Sequence, residues 1–241
     1  MSVRLNLVVR RQRNNLLEHM KRTHPPRLRA FAAISALIGW GALILQLYLL
    51  LRLTVADGRG VIVGIVNYLG FFTILTNILV ALALSVPLVV PNSSLGRFFS
   101  RPGVITAVAA AIAQVGIIYS LLLRHTWNPQ GWQFVVNELL HDVMPILFLI
   151  YWWFAVPRGA VRWRDIPLWC AYPLGYLLYV LARGELIGRY PYTFIDVGAL
   201  GYGRVLVNAA GLLVAFTLPA LILMGAGALK KDPTPLPGTS S

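Results

Sequence analysis

FFTILTNILVALALSVPLVV, residues 71–90, runs without a charged side chain and belongs to a longer apolar stretch, Val61–Val90. An α-helix rises about 1.5 Å per residue, so about 20 apolar residues cross the hydrocarbon of a bilayer. Read this way, the stretch is one membrane span. It also poses a question, because Thr73, Thr76 and Asn77 place three hydrogen-bonding side chains among Leu, Val and Ala.

The rest of the chain follows the same pattern. Of its 241 residues 58% are hydrophobic and 12% charged, with a mean hydropathy of +0.70; a soluble domain carries roughly 25% charged residues. Apolar runs predict spans at Ala30–Leu51, within Val61–Val90, and at Val104–Leu123, Phe134–Phe154, Pro167–Ala182 and Val205–Leu229, the fourth interrupted near its start by Glu138, His141 and Asp142. The fold class expected is therefore all-α, an integral membrane bundle of six transmembrane helices. The second run is longer than one span needs, so its start is open. A start at Val61 instead of near Val66 sets Thr73 deeper by about 7 Å.

The net charge of +13 does not point to nucleic acid, because the basic residues gather at the ends of apolar runs. With the N-terminus in the cytoplasm, inside segments hold Arg4, Arg10, Arg11, Arg13, Lys21, Arg22, Arg27, Arg29, Arg97, Arg101, Arg158, Arg162, Arg164, Lys230 and Lys231. Only Arg52, Arg59, Arg124, Arg183, Arg189 and Arg204 fall on the other side. The positive-inside rule then places both termini in the cytoplasm of a cell-membrane protein. Residues 1–29 form a basic cytoplasmic segment, either a helix lying on anionic lipid headgroups or an unstructured basic tail. Residues 30–229 form the six-span domain, and 230–241 a polar, Pro-rich cytoplasmic tail. The single cysteine, Cys170, excludes an internal disulfide and a cysteine zinc site.

Ionisable residues inside a span are costly and need a reason. The fourth span opens with NELLHDVMP, residues 137–145, in which Asn137 and His141 share a face, as do Glu138 and Asp142. A helix N-terminus favours Glu138 and Asp142 through its dipole, but it offers nothing to a protonated His141. Glu138-x-x-His141 also matches half of a di-iron ligand set, and the sequence holds no second such pair. Thr73 and His141 lie at matching depth on the second and fourth spans, on the order of 10 Å below the outer boundary. A hydroxyl within reach of a neutral imidazole is the smallest set for nucleophilic hydrolysis. The alternative reading is helix glue, with the hydroxyls bonding back to carbonyls or to neighbouring helices.

FFTILTN, NELLHDVMP and RGELIGRYPYTFIDVG (183–198) together resemble the androgen-induced and androgen-dependent TFPI-regulating membrane proteins and their bacterial six-span relatives, over roughly residues 65–200. The better-understood members are multi-pass threonine hydrolases that cleave fatty acid esters of hydroxy fatty acids. The resemblance implies Thr73 as nucleophile and His141 as base. Thr76 is the alternative nucleophile if the match slips by three. The ILTN wording after Thr73 and Asp142 directly after the histidine depart from the animal pattern, which bears on substrate more than on fold.

Around this pair, Asn77 and Asn137 are candidate oxyanion donors. Asp196 either orients His141 as a third member or pairs with Arg183 or Arg189, or caps a turn. Arg183 either snorkels to the interface or binds a substrate carboxylate. Tyr190 and Tyr192 either sit in the interfacial belt or line the substrate site. The expectation is an intramembrane threonine-dependent lipid esterase that takes its lipid substrate from the bilayer and needs no metal or organic cofactor. A non-catalytic six-span scaffold and a small-molecule transporter are the rival classes. The transporter wants a polar path across the membrane, whereas the polar residues here collect at one depth.

Overall fold

A computed structural model describes residues 25–230 of the chain; the basic segment up to residue 24 and the tail from 231 lie outside the described residues. Six helical stretches are long and apolar enough to cross a membrane: Pro26–Ala56, Phe72–Val89, Pro102–Leu123, Trp132–Ala155, Trp163–Ile187 and Val197–Leu229. No strand occurs among the described residues. The links between spans one and two, three and four, and five and six share one end of the bundle, where Gln133 Nε2 donates to Gln46 Oε1 at 2.9 Å and Arg124 meets Asp142.

The third span is the most enclosed. Ala109, Ala110 and Ala111 are buried on it, because small side chains let neighbouring helices approach closely where lipid provides no hydrophobic drive. Trp152 of the fourth span is buried against it and donates through Nε1 to Thr106 Oγ1 at 2.9 Å. Outward faces carry large exposed apolar residues such as Leu37, Ile44, Leu178 and Ile222. A bilayer covers such a surface, which water would not tolerate.

Several boundaries differ from the sequence expectation, each for a local reason. The first helix starts at Pro26, its first helical residue, a position where a missing N–H costs nothing. The run Val61–Val90 is two helices, Val61–Tyr68 and Phe72–Val89, separated by a turn at Leu69-Gly70-Phe71. Gly70 is needed there, since a Cβ on it would lie 3.0 Å from Arg183 Cζ and 3.1 Å from the Asn67 carbonyl oxygen. Thr73 is thus the second residue of its helix instead of several residues inside it. The fifth span extends to Ile187, so Arg183 lies within it. The sixth begins at Val197, capped by Asp196, and kinks at Gly201, whose φ is +74°.

Candidate active site

Two π-helical turns face each other at the end of the bundle that carries Thr73. Tyr119–Leu123 closes the third span, and Leu139–Val143 interrupts the fourth. Single π turns inside helices recur at functional sites because they rotate side chains out of the regular register. Here they bring Tyr119 and His141 together, stacked with ring centroids 4.1 Å apart and 27° between planes.

Thr73 Oγ1 lies 3.3 Å from His141 Nε2. The other ring nitrogen, Nδ1, is 2.9 Å from the Asn137 carbonyl oxygen. A carbonyl only accepts, so Nδ1 carries a proton, and in the neutral ring Nε2 presents its lone pair to the Thr73 hydroxyl. Asn137 is buried and donates to the Tyr119 hydroxyl at 2.5 Å, which holds the stacked ring in place. Arg124 also lies over Tyr119, its Cζ 4.8 Å from the ring centroid. Its Nη2 donates to both oxygens of Asp142, at 2.6 and 2.7 Å, and its Nη1 to Glu138 Oε1 at 3.3 Å. The acidic pair on the fourth span therefore answers a cation at the end of the third. Among the described residues no three His, Cys, Asp or Glu side chains gather as metal ligands.

Thr76 points elsewhere. It is fully buried and pairs with the Tyr172 hydroxyl at 2.8 Å, away from the histidine. Asn77 donates to the carbonyls of Thr73 and Leu140, at 2.9 and 3.1 Å. With Asn137 held by Tyr119, both asparagine amides are engaged as structural donors, so the oxyanion role expected of them finds no free N–H. Different donors stand close by. Phe71 is the N-cap of the second span and makes no side-chain cap. Its carbonyl accepts from Ile74 and Leu75, leaving the N–H groups of Phe72 and Thr73 without a backbone acceptor, as the first turn of any helix does.

The Tyr192 phenol sits against these groups. Burial raises its pKa, while the Thr73 hydroxyl and the backbone N–H groups of Thr73 and Phe72 partly offset that rise by hydrogen bonding. Tyr192 is held edge-on to Phe71, with centroids 5.9 Å apart, and stacked on Phe194 at 5.0 Å. Two cavities meet here, both lined by Thr73, Tyr119 and Tyr192. One, of about 90 Å³, is apolar and runs between Val115, Leu177 and Leu212. The other, of about 220 Å³, holds His141 and Asn137 and opens past Gln46 and Gln133.

Three residues expected at the site take other places. Asp196 does not reach His141; it accepts from the Ala199 N–H at 3.1 Å and caps the sixth span, one of the alternatives its position allowed. Arg183 does not snorkel and lines neither of these two cavities. It is 7% exposed, and donates through Nη2 to Asn67 Oδ1 at 2.8 Å and through Nη1 to the Arg189 carbonyl at 3.0 Å, tying the turn before Thr73 to the link after the fifth span. Tyr190 turns away toward Glu185, its ring flush on Gly184. Tyr119, Arg124 and Tyr172 belong to the site surroundings and were not legible in the sequence. The one available signal was the Glu138–Asp142 pair, two carboxylates on one face of a span, which the helix dipole accounts for and which Arg124 also answers.

Fold and chemistry together define a six-span polytopic membrane protein in which a buried threonine meets a half-buried histidine beside an apolar cavity. No protein-family model, curated protein or solved structure matches the chain.

Proposed function

We propose that the chain is an intramembrane threonine-dependent lipid esterase, with Thr73 as nucleophile and His141 as general base and then acid. The observation that carries the reading is the His141 tautomer: Nδ1 is fixed on the Asn137 carbonyl, and Nε2 faces the Thr73 hydroxyl. In the first step Oγ1 attacks the ester carbonyl carbon as Nε2 takes its proton. The N–H groups of Phe72 and Thr73, at the positive end of a helix, receive the developing oxyanion. His141 then protonates the departing alcohol, and water, activated by the same nitrogen, releases the fatty acid. The apolar cavity suits an acyl chain, and the more polar one the alcohol portion.

The resemblance of the Thr, His and Tyr-Pro-Tyr strings to the threonine hydrolases supports the same reading. The charge asymmetry favours both termini in the cytoplasm and, with them, a site opening toward the outer half of the cell membrane. The basic N-terminal segment would then lie against anionic headgroups.

The test is labelling of membranes by a fluorophosphonate probe. Wild type and Thr76→Ala are expected to label, and Thr73→Ala and His141→Ala to lose the label while still inserted and folded. Labelling that survives both substitutions would return Thr73 to the role of helix glue and leave the six-span scaffold as the better reading.

A further inference from the structure

At the opposite end of the bundle, spans two, three and five enclose a cleft of about 590 Å³, larger than either cavity at Thr73. Its floor is one face of the third span, where Gly103, Ala107 and Ala111 recur every four residues, and Leu79 and Phe99 line it as well. From Gly103 to Ala111 this smooth strip runs about 12 Å along the helix axis, a length suited to an acyl chain lying parallel to the spans.

Four polar side chains line the same cleft; the Tyr172 hydroxyl is already paired with Thr76 Oγ1, which leaves three. Trp169 is 5% exposed and lines the cleft, and its indole N–H has no hydrogen-bond partner among the described residues. Its Nε1 lies 3.8 Å from where a Cβ on Gly103 would stand. Buried indole N–H groups normally find an acceptor, so this one waits for an oxygen that the chain does not supply. Arg101 is the N-cap of the third span, and its guanidinium is exposed and unpartnered among the described residues. Asp165 is half-buried and uses Oδ2 to accept from the Arg162 N–H at 2.9 Å, leaving Oδ1 to the cleft. Arg101 and Asp165 are not paired with each other.

We propose that this cleft is a binding site for an aminophospholipid, phosphatidylethanolamine. Its phosphate takes the Arg101 guanidinium and the positive end of the third span. Its ammonium takes Asp165. An ester carbonyl accepts the Trp169 N–H, and one acyl chain lies along Gly103, Ala107 and Ala111. The lining charges decide the headgroup. One cation and one anion complement a zwitterion, a purely anionic lipid meets Asp165 unfavourably, and a choline headgroup offers that carboxylate no N–H. The site uses no residue of the Thr73–His141 pair and does not depend on the esterase reading.

Native mass spectrometry of the full chain, delipidated in detergent and titrated with phosphatidylethanolamine, phosphatidylcholine or phosphatidylglycerol of matched chains, tests it. Phosphatidylethanolamine is expected to be retained roughly tenfold better than the other two, the scale of one charge-assisted hydrogen bond. Asp165→Asn should bring it down to the phosphatidylcholine level, and Arg101→Gln should weaken all three phospholipids. Trp169→Phe, which keeps the ring and removes only the N–H, should cost several-fold. Ala107→Phe, which fills the floor, should abolish retention. Equal retention of the three lipids by wild type, a preference for phosphatidylglycerol, or indifference to Asp165→Asn and Trp169→Phe would each overturn the proposal.

Discussion

Asn77 offers the sharpest test of how this site is built. The π turn at Leu139–Val143 sends the Met144 N–H to the Leu139 carbonyl. The Leu140 carbonyl, in the same register, would look to residue 145, which is Pro145 and has no N–H. Asn77 fills the gap from the second span, its Nδ2 3.1 Å from the Leu140 oxygen. Replacing Asn77 by Ala removes this donor and strands a buried carbonyl one residue before His141. Stranding a buried acceptor costs about 1–3 kcal/mol, and interhelical hydrogen bonds in membranes fall at or below the lower end of that range. The penalty should therefore be on the order of 1 kcal/mol when Pro145 is present. With Pro145→Ala an N–H returns at position 145, so the same Asn77→Ala substitution should cost clearly less. The assay is a double-mutant cycle on unfolding in mixed micelles, with fluorophosphonate labelling of Thr73 as a second readout. A coupling of at least about 0.5 kcal/mol is expected, with labelling reduced in Asn77→Ala and partly restored in the double variant. The reasoning is refuted if Asn77→Ala costs the same in both backgrounds.

Further predictions concern the groups around Thr73. Thr73→Ser should keep labelling and hydrolysis of a lipid ester that Thr73→Ala abolishes, since only the methyl is lost; equal activity of the two variants would contradict a nucleophile. Gly184→Ala would place a Cβ 2.0 Å from Tyr190 Cε1, forcing the ring off the fifth span and shifting the link that carries Tyr192. Overpacking of this kind costs about 1–3 kcal/mol, so melting temperature and labelling should both fall, and Tyr190→Ala in the same chain should restore them. Tyr192→Phe leaves the ring against Phe71 and Phe194 but frees the N–H groups of Phe72 and Thr73. Labelling should quicken relative to wild type, and a slower rate would mean that the phenol acts as a donor in the reaction. Arg124→Gln should leave Asp142 and Glu138 without their cation and lower labelling by loosening the Tyr119–His141 stack. Unchanged labelling would show that the stack holds without it.

The six-span all-helical character was fixed by local chemistry, because uncharged runs of sufficient length can satisfy their backbone in a bilayer only as helices. The pairing of Thr73 with His141 could be anticipated from depth, since both spans start at the same end of the bundle. The partners of these residues could not. Asp196 was open between a third catalytic member, an ion pair and a cap, and is a helix cap, while Asn77, a candidate oxyanion donor, gives its amide N–H groups to the Thr73 and Leu140 carbonyls. Arg183 looked like an interfacial or substrate-binding cation and is a buried tie between Asn67 and the Arg189 carbonyl. Their roles depend on which carbonyl, hydroxyl or carboxylate another helix presents, and no spacing within a single helix encodes that. Two π turns, invisible in hydropathy, set the rotation of Tyr119 and His141. The turn at Gly70 ended one helix and began the next so that Thr73 stands in a first helical turn, where the N–H groups of Phe72 and Thr73 meet the Tyr192 phenol instead of a carbonyl. Composition and periodicity decide that these segments cross a membrane as helices; only packing decides which polar group on one helix meets which on another.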